Sequence, residues 1–130
     1  ICRMEKKIIN TTDAPAPIGP YSQAVQAGNL LFISGQVAIN PATGNVEATD
    51  IPAETHQVMK NLQAILQAAG TDFNAVVKTT IFLSDMSLFT QVNEVYGKYF
   101  SSSFPARETV AVKGLPKNVN VEISMIASLG

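Results

Sequence analysis

A chain of 130 residues fits one domain, with enough length to bury a working core. Nine basic and ten acidic residues leave a formal charge of −1, and the lysines are scattered apart from Lys6-Lys7, so the basic face of a phosphate-gripping nucleic-acid binder is not expected. The single cysteine, Cys2, excludes an intramolecular disulfide, and no apolar run approaches the roughly 18 residues of a membrane helix or forms the core of a signal peptide; the cytosol is the expected address, without a membrane partner.

Ile1-Cys2-Arg3 precede a Met4 that reads as a natural start, so residues 1–3 are expected to be a non-native extension and residues 4–130 the single domain. A short strand is expected over residues 7–9. Ala14-Pro15-Ala16-Pro17-Ile18-Gly19-Pro20 follows, an ordered, non-helical loop by its prolines and glycine. Segments 21–27 and 30–36 flank Gly28-Asn29, a two-residue hairpin signal, and residues 40–44 form another turn. The first helix begins near Pro52, where a missing N–H does no harm. Val58, Leu62, Ile65, Leu66 and Ala69 make its apolar stripe, and Gly70 stands where a helix-ending glycine belongs. Residues 76–83 predict a strand rich in β-branched side chains. A second helix is expected over 88–100, capped by Ser87, with Phe89, Val92, Tyr96, Tyr99 and Phe100 as a core stripe. Strands over 108–113 and 119–127 close the chain. The order β-β-β-α-β-α-β-β predicts an α+β domain, one mixed six-stranded sheet with two helices on one face.

Leu30-Leu31-Phe32-Ile33 and Ile81-Phe82-Leu83 are apolar at consecutive positions, so both sheet faces call for burial. Two helices cover one face only, which predicts a second subunit on the other. One histidine and one cysteine cannot furnish a zinc site of the usual ligand set; His56, in the first turns of its helix, is expected to be an exposed polar residue. No nucleotide-binding glycine motif and no G-x-S-x-G are present.

Four residues remain as chemistry. Arg107, behind Phe104-Pro105-Ala106, is either a carboxylate-binding fork or a surface arginine. Glu122, in an otherwise apolar strand, is either a desolvated carboxylate suited to general acid–base work or an edge-strand glutamate facing water. Tyr21 is a hydroxyl donor or a half-buried aromatic, and Asn93 projects one turn beyond Phe89.

Several blocks, in order, resemble the Rid family of enamine/imine deaminases in its YjgF/RidA-type branch. They are Ile18-Gly19-Pro20-Tyr21-Ser22-Gln23-Ala24, Phe32-Ile33-Ser34-Gly35-Gln36, Val92-Asn93-Glu94-Val95-Tyr96, Phe104-Pro105-Ala106-Arg107 and Val121-Glu122-Ile123. The resemblance spans residues 5–129. It implies a chorismate-mutase-like fold assembled as a homotrimer with sites between subunits. It implies hydrolysis of 2-imino acids and enamines, such as 2-aminoacrylate and 2-iminobutanoate, to 2-oxo acids and ammonia with no metal or organic cofactor. Carried over by position, Arg107 binds the substrate carboxylate and Glu122 orients or deprotonates water. Tyr21, Ser34, Gly35, Phe89, Asn93, Ala106 and Thr109 line the pocket, Thr109 standing where many members carry cysteine. The competing functions are a non-catalytic module for small carboxylates or amino acids, a translation-inhibiting ribonuclease, and a chaperone.

Overall fold

The computed structural model describes residues 5–130; the expected extension at residues 1–3, with Cys2 and Met4, lies outside them. Strand β1 (Lys6–Ile9) pairs antiparallel with β2 (Ala24–Ala27), which turns into β3 (Leu30–Gln36) with Ala27 facing Leu30. Gly28 sits at φ 60°, the left-handed conformation that the first position of a II′ turn requires and that a Cβ would penalise. Helix α1 (Ile51–Ala68) starts where Asp50 accepts the Ala53 N–H at 2.8 Å, with Pro52 in the first turn. It stops before Gly70, at φ 81°. Its stripe of Val58, Leu62, Ile65 and Leu66 is wholly buried.

Strand β4 (Val76–Leu83), helix α2 (Phe89–Gly97), β5 (Ala106–Ala111) and β6 (Val121–Ser128) complete the frame. The sheet order is β1-β2-β3-β6-β4-β5, with β4 and β5 the one parallel pair. Parallel neighbours need a crossover, and α2 occupies it. Along β6 the residues alternate: Val121, Ile123, Met125 and Ala127 are buried, while Glu122, Ser124, Ile126 and Ser128 are half-buried. One face is thus covered by the helices and the other is open. Ile8, Phe32 and Val110 keep 43%, 44% and 44% of their surface exposed, on the face that the doubly apolar strands left without a cover. The expected element order, six-stranded mixed sheet and pair of helices on one face are what the chain adopts. No helix among the described residues is long and apolar enough to cross a membrane.

Local expectations need correction at four places. Ser87 does not cap α2. Instead, the Asp85 carboxylate accepts the Ser87 N–H at 2.7 Å and caps a tight turn, Met86–Leu88, that runs into the helix. The helix ends at Gly97 rather than at residue 100, because Lys98, Tyr99 and Phe100 bond three residues back and tighten the chain. The last two strands run 106–111 and 121–128, since the turn Pro116–Asn118 takes up the chain between them. His56 is half-buried and partnered, its Nδ1 2.9 Å from the Tyr99 hydroxyl.

Candidate functional site

The chemistry-bearing residues fall into two clefts. The first, about 520 Å³, is lined by Tyr21, Ser34, Gly35 and Glu122, with Ile18 and Lys117 at its walls. Its position is set by buried polar side chains. Gln23, 2% exposed, accepts the Thr11 N–H at 2.7 Å and donates to the carbonyls of Thr11, at 2.9 Å, and Pro15, at 2.9 Å. Those bonds staple the proline-rich loop to the start of β2 and so place Ile18 and Tyr21. Ser34 donates its hydroxyl to the Ser22 carbonyl at 2.6 Å. Asn61 of α1 donates to the carbonyls of Val37, at 3.1 Å, and Ile39, at 3.0 Å, fixing another stretch of the cleft wall.

Glu122 is the charged centre of this cleft. It sits where β3 departs from regular pairing between Ile33 and Gln36. Its carboxyl group occupies the space a side chain at Gly35 would need: a Cβ there would stand 2.9 Å from Cδ and run into Oε2. No hydrogen bond or ion pair from a described residue reaches the carboxylate, and burial pushes its pKa up from the ordinary 4.5.

The second cleft, about 460 Å³, is lined by Asn93, Tyr96, Phe104 and Arg107. The Arg107 guanidinium donates from Nη1 to Asn93 Oδ1 at 2.6 Å. It lies 5.1 Å from the Tyr96 ring centre and 5.6 Å from that of Phe89, within range of a cation–π contact with each. Tyr96 is itself anchored, donating its hydroxyl to Thr79 Oγ1 at 3.0 Å. Burial pushes the Tyr96 phenol up, so it stays neutral under the guanidinium.

The two clefts lie on opposite faces of the sheet. On the shared neighbour β4, Arg107 stands beside Thr79 and Glu122 beside Phe82. Those partners are an odd number of residues apart, so their side chains point opposite ways. Thr79 is wholly buried under α2, whereas Phe82 is half-exposed on the open face. One chain therefore does not bring Arg107 and Glu122 to a common point. Ala106 is on the open face beside Lys78, and Thr109 is on the covered face beside Ile81; neither is among the residues that line these two clefts. The Thr109 hydroxyl is buried without a hydrogen-bond partner among the described residues.

Tyr96 and Lys117 were not among the expected site residues. Tyr96 had a signal, three residues beyond Asn93 and so on the same helix face. Lys117 had none: it lines the Glu122 cleft from a left-handed backbone conformation, φ 56°, next to Asn118 at φ 54°. Among the described residues no group of three His, Cys, Asp or Glu side chains could hold a metal ion.

Residues 11–129 match the family model described as endoribonuclease L-PSP. The chain is similar to a RutC family protein of Pyrococcus horikoshii, 53% identical over 122 residues, covering 94% of this chain and 97% of that protein. The 2-iminobutanoate/2-iminopropanoate deaminase of Mus musculus is 51% identical over 125 residues, covering 96% and 93% respectively. Among solved structures, the Rid family protein YyfA of Yersinia pestis superposes with a TM-score of 0.93 at 48% identity, covering 95% of this chain and 99% of that one.

Proposed function

The chain belongs to the endoribonuclease L-PSP family, which includes the Rid proteins, and from that premise we propose that it hydrolyses small 2-imino acids and their enamine tautomers to 2-oxo acids and ammonia. The observation that carries this reading is the Glu122 carboxylate, desolvated, unpartnered among the described residues and facing a cleft. A structural carboxylate acquires donors, whereas a general base keeps a lone pair free and a raised pKa. The mouse relative named as a deaminase, half identical over nearly the whole chain, supports the same chemistry.

In this mechanism a homotrimer brings the Arg107 cleft of one copy to the Glu122 cleft of the next. A head-to-tail ring is the arrangement that joins two different surfaces repeatedly and closes. The apolar open face, with Ile8, Phe32 and Val110, supplies surface that such an assembly buries. Arg107 clamps the substrate carboxylate through its planar fork. Glu122 accepts a proton from water as the oxygen attacks the imine carbon, and the C=N bond becomes C–N in a carbinolamine. The same carboxyl returns that proton to nitrogen and then carries the carbinolamine's hydroxyl proton to nitrogen as well; the C–N bond breaks, ammonia leaves, and the C–O bond becomes the ketone. An enamine first takes a proton at carbon and gives one up from nitrogen to become the imine. Only water is consumed, so the reaction balances without a cofactor. His56, held by Tyr99, lines neither cleft, which leaves the histidine-based RNA cleavage of a nuclease without its group.

The test couples a threonine dehydratase, as a source of 2-iminobutanoate, to this protein and follows 2-oxobutanoate, with semicarbazide trapping the imine in parallel. Acceleration that disappears in Arg107→Ala is the expected result. An intact oligomer that binds small carboxylates but leaves the imine's lifetime unchanged would make the chain a ligand-binding module.

A further inference from the structure

We propose, given Glu122 as the water-activating group of the deaminase reading, that Glu54 is its positioning residue: from the covered side of the sheet, the Glu54 carboxylate fixes the start of β6 and so sets where Glu122 stands against Gly35. Glu54 lies in the first turn of α1 and is 5% exposed. Its Oε2 accepts the backbone N–H of Asn120 at 2.7 Å and of Val121 at 2.8 Å, and its Oε1 accepts Asn120 Nδ2 at 3.1 Å. Asn120 is gripped from the other side as well. Ser84 donates its hydroxyl to Asn120 Oδ1 at 2.8 Å and its N–H to the Asn120 carbonyl at 3.0 Å. The first turn of α1, the end of β4 and the start of β6 meet in this one cluster.

A buried carboxylate is costly unless it is fully hydrogen-bonded. Three donors and the positive end of a helix dipole surround this one, so the cost of its burial is offset. Those bonds fall on the two residues immediately before Glu122. The chain arrives there from Lys117 and Asn118, two consecutive left-handed residues, φ 56° and 54°, a turn that does not by itself carry strand direction onward. With Val121 pinned toward the covered face, the next side chain must face the open side. Glu122 has no donor of its own among the described residues, so its backbone is what places it. Asn61, two turns further along α1, holds the cleft wall at Val37 and Ile39 in the same manner; α1 thus supports the open-face cleft from behind.

Two substitutions separate this role from a mere tie between helix and strand. Glu54→Gln can keep the whole bond set if the Asn120 amide turns over. Gln Oε1 then accepts both N–H groups, Gln Nε2 donates to Asn120 Oδ1, and Asn120 Nδ2 donates to the Ser84 hydroxyl. Glu54→Leu keeps none of it. Glu54→Leu should lower kcat on 2-iminobutanoate by about 10- to 100-fold, the cost of misplacing a reacting group by an ångström. KM should hold, because Arg107 is untouched, and Glu54→Gln should restore kcat. If Glu54→Leu does not fold, Asn120→Ala replaces it; it deletes the side-chain bonds, spares the two backbone ones, and should give a smaller loss in kcat at unchanged KM. A carboxyl ¹³C titration of Glu122 reads the same displacement without turnover, moving toward ordinary glutamate in either variant. Wild-type kcat and an unmoved titration in a folded variant would overturn the proposal, as would losses shared equally by KM and not restored by glutamine. Should the wild-type protein fail to accelerate imine hydrolysis at all, the deaminase reading falls. The positioning role is then decided by the titration alone: a shifted curve upholds it, an unshifted one removes it.

Discussion

In one cleft the guanidinium of Arg107 lies against two aromatic rings and is tied to Asn93; in the other the Glu122 carboxylate has neither an ion pair nor a hydrogen-bond donor among the described residues. Both are ionisable groups at the ends of sheet strands, yet only one is held by its own side-chain contacts. Arg107 is pre-oriented, which suits binding, because a fork already in place loses less entropy when a carboxylate arrives. Glu122 is left reactive, which suits proton transfer. In the proposed reaction, positioning and reactivity are divided between the two faces of one sheet.

The sharpest way to break that division is to remove each charge separately. Arg107→Ala should abolish measurable turnover, and Glu122→Gln should lower kcat by about 10²–10⁴-fold at little change in KM, the usual contribution of a general base. Co-expressing the two dead variants tests whether the clefts meet across subunits. A random equal mixture should recover about one quarter of wild-type activity, since one head-to-tail interface in four then joins an intact Glu122 to an intact Arg107. No recovery from verified mixed oligomers would mean that the two clefts serve separate purposes.

A smaller effect is expected where the carboxylate is pressed against backbone. Gly35→Ala places a methyl in the space of the Glu122 carboxyl, and the flexible glutamate must swing aside. We expect about a tenfold drop in kcat with the fold retained; undiminished kcat would show that the observed place of the carboxylate is not the working one. On the other side, Tyr96→Leu removes the ring beneath Arg107 and should raise KM by roughly two- to fivefold, the worth of an exposed cation–π contact. Tyr96→Phe keeps the ring, so KM should hold. It strands the Thr79 hydroxyl instead and should cost about 1 kcal/mol in thermal unfolding.

How much of this was legible in the sequence follows the range of the interactions. Gly28-Asn29, Pro52 and Gly70 act over a few residues, and the hairpin and α1 stand where those signals put them. The cap before α2 differs from expectation because Asp85 and Ser87 are both good capping residue types, and the choice between them depends on a tight turn that sequence periodicity does not register. Arg107 and Glu122 could be singled out as residue types in unusual settings. That they face opposite sides could not, because the parity depends on how β5 and β6 register against β4, a pairing between segments far apart in the chain. Gln23 stands within the block of residues 18–24, but its role as a staple needs the fold, since its partners at Thr11 and Pro15 belong to a loop without periodicity.

The smallest predicted effect is on stability, and its sign follows from the burial of Glu122. Burial raises the folded-state pKa above the ordinary 4.5, so between those two values the folded protein binds more protons than the unfolded chain. Unfolding free energy therefore falls as pH rises through that window. Below 4.5 the carboxyl is neutral in both states and the penalty is absent; above the raised folded value it is complete. Glu122→Gln removes the titration, so the variant should be more stable than wild type at neutral pH and lose that advantage on acidification below the ordinary glutamate range. Thermal unfolding of both proteins across that range, at fixed concentration because assembly shifts apparent stability, reads the difference directly. Equal stability at all pH values would mean that Glu122 finds a compensating donor in the assembled protein. It would then lose the free lone pair on which its role as a base depends, while the Arg107 clamp would keep its part.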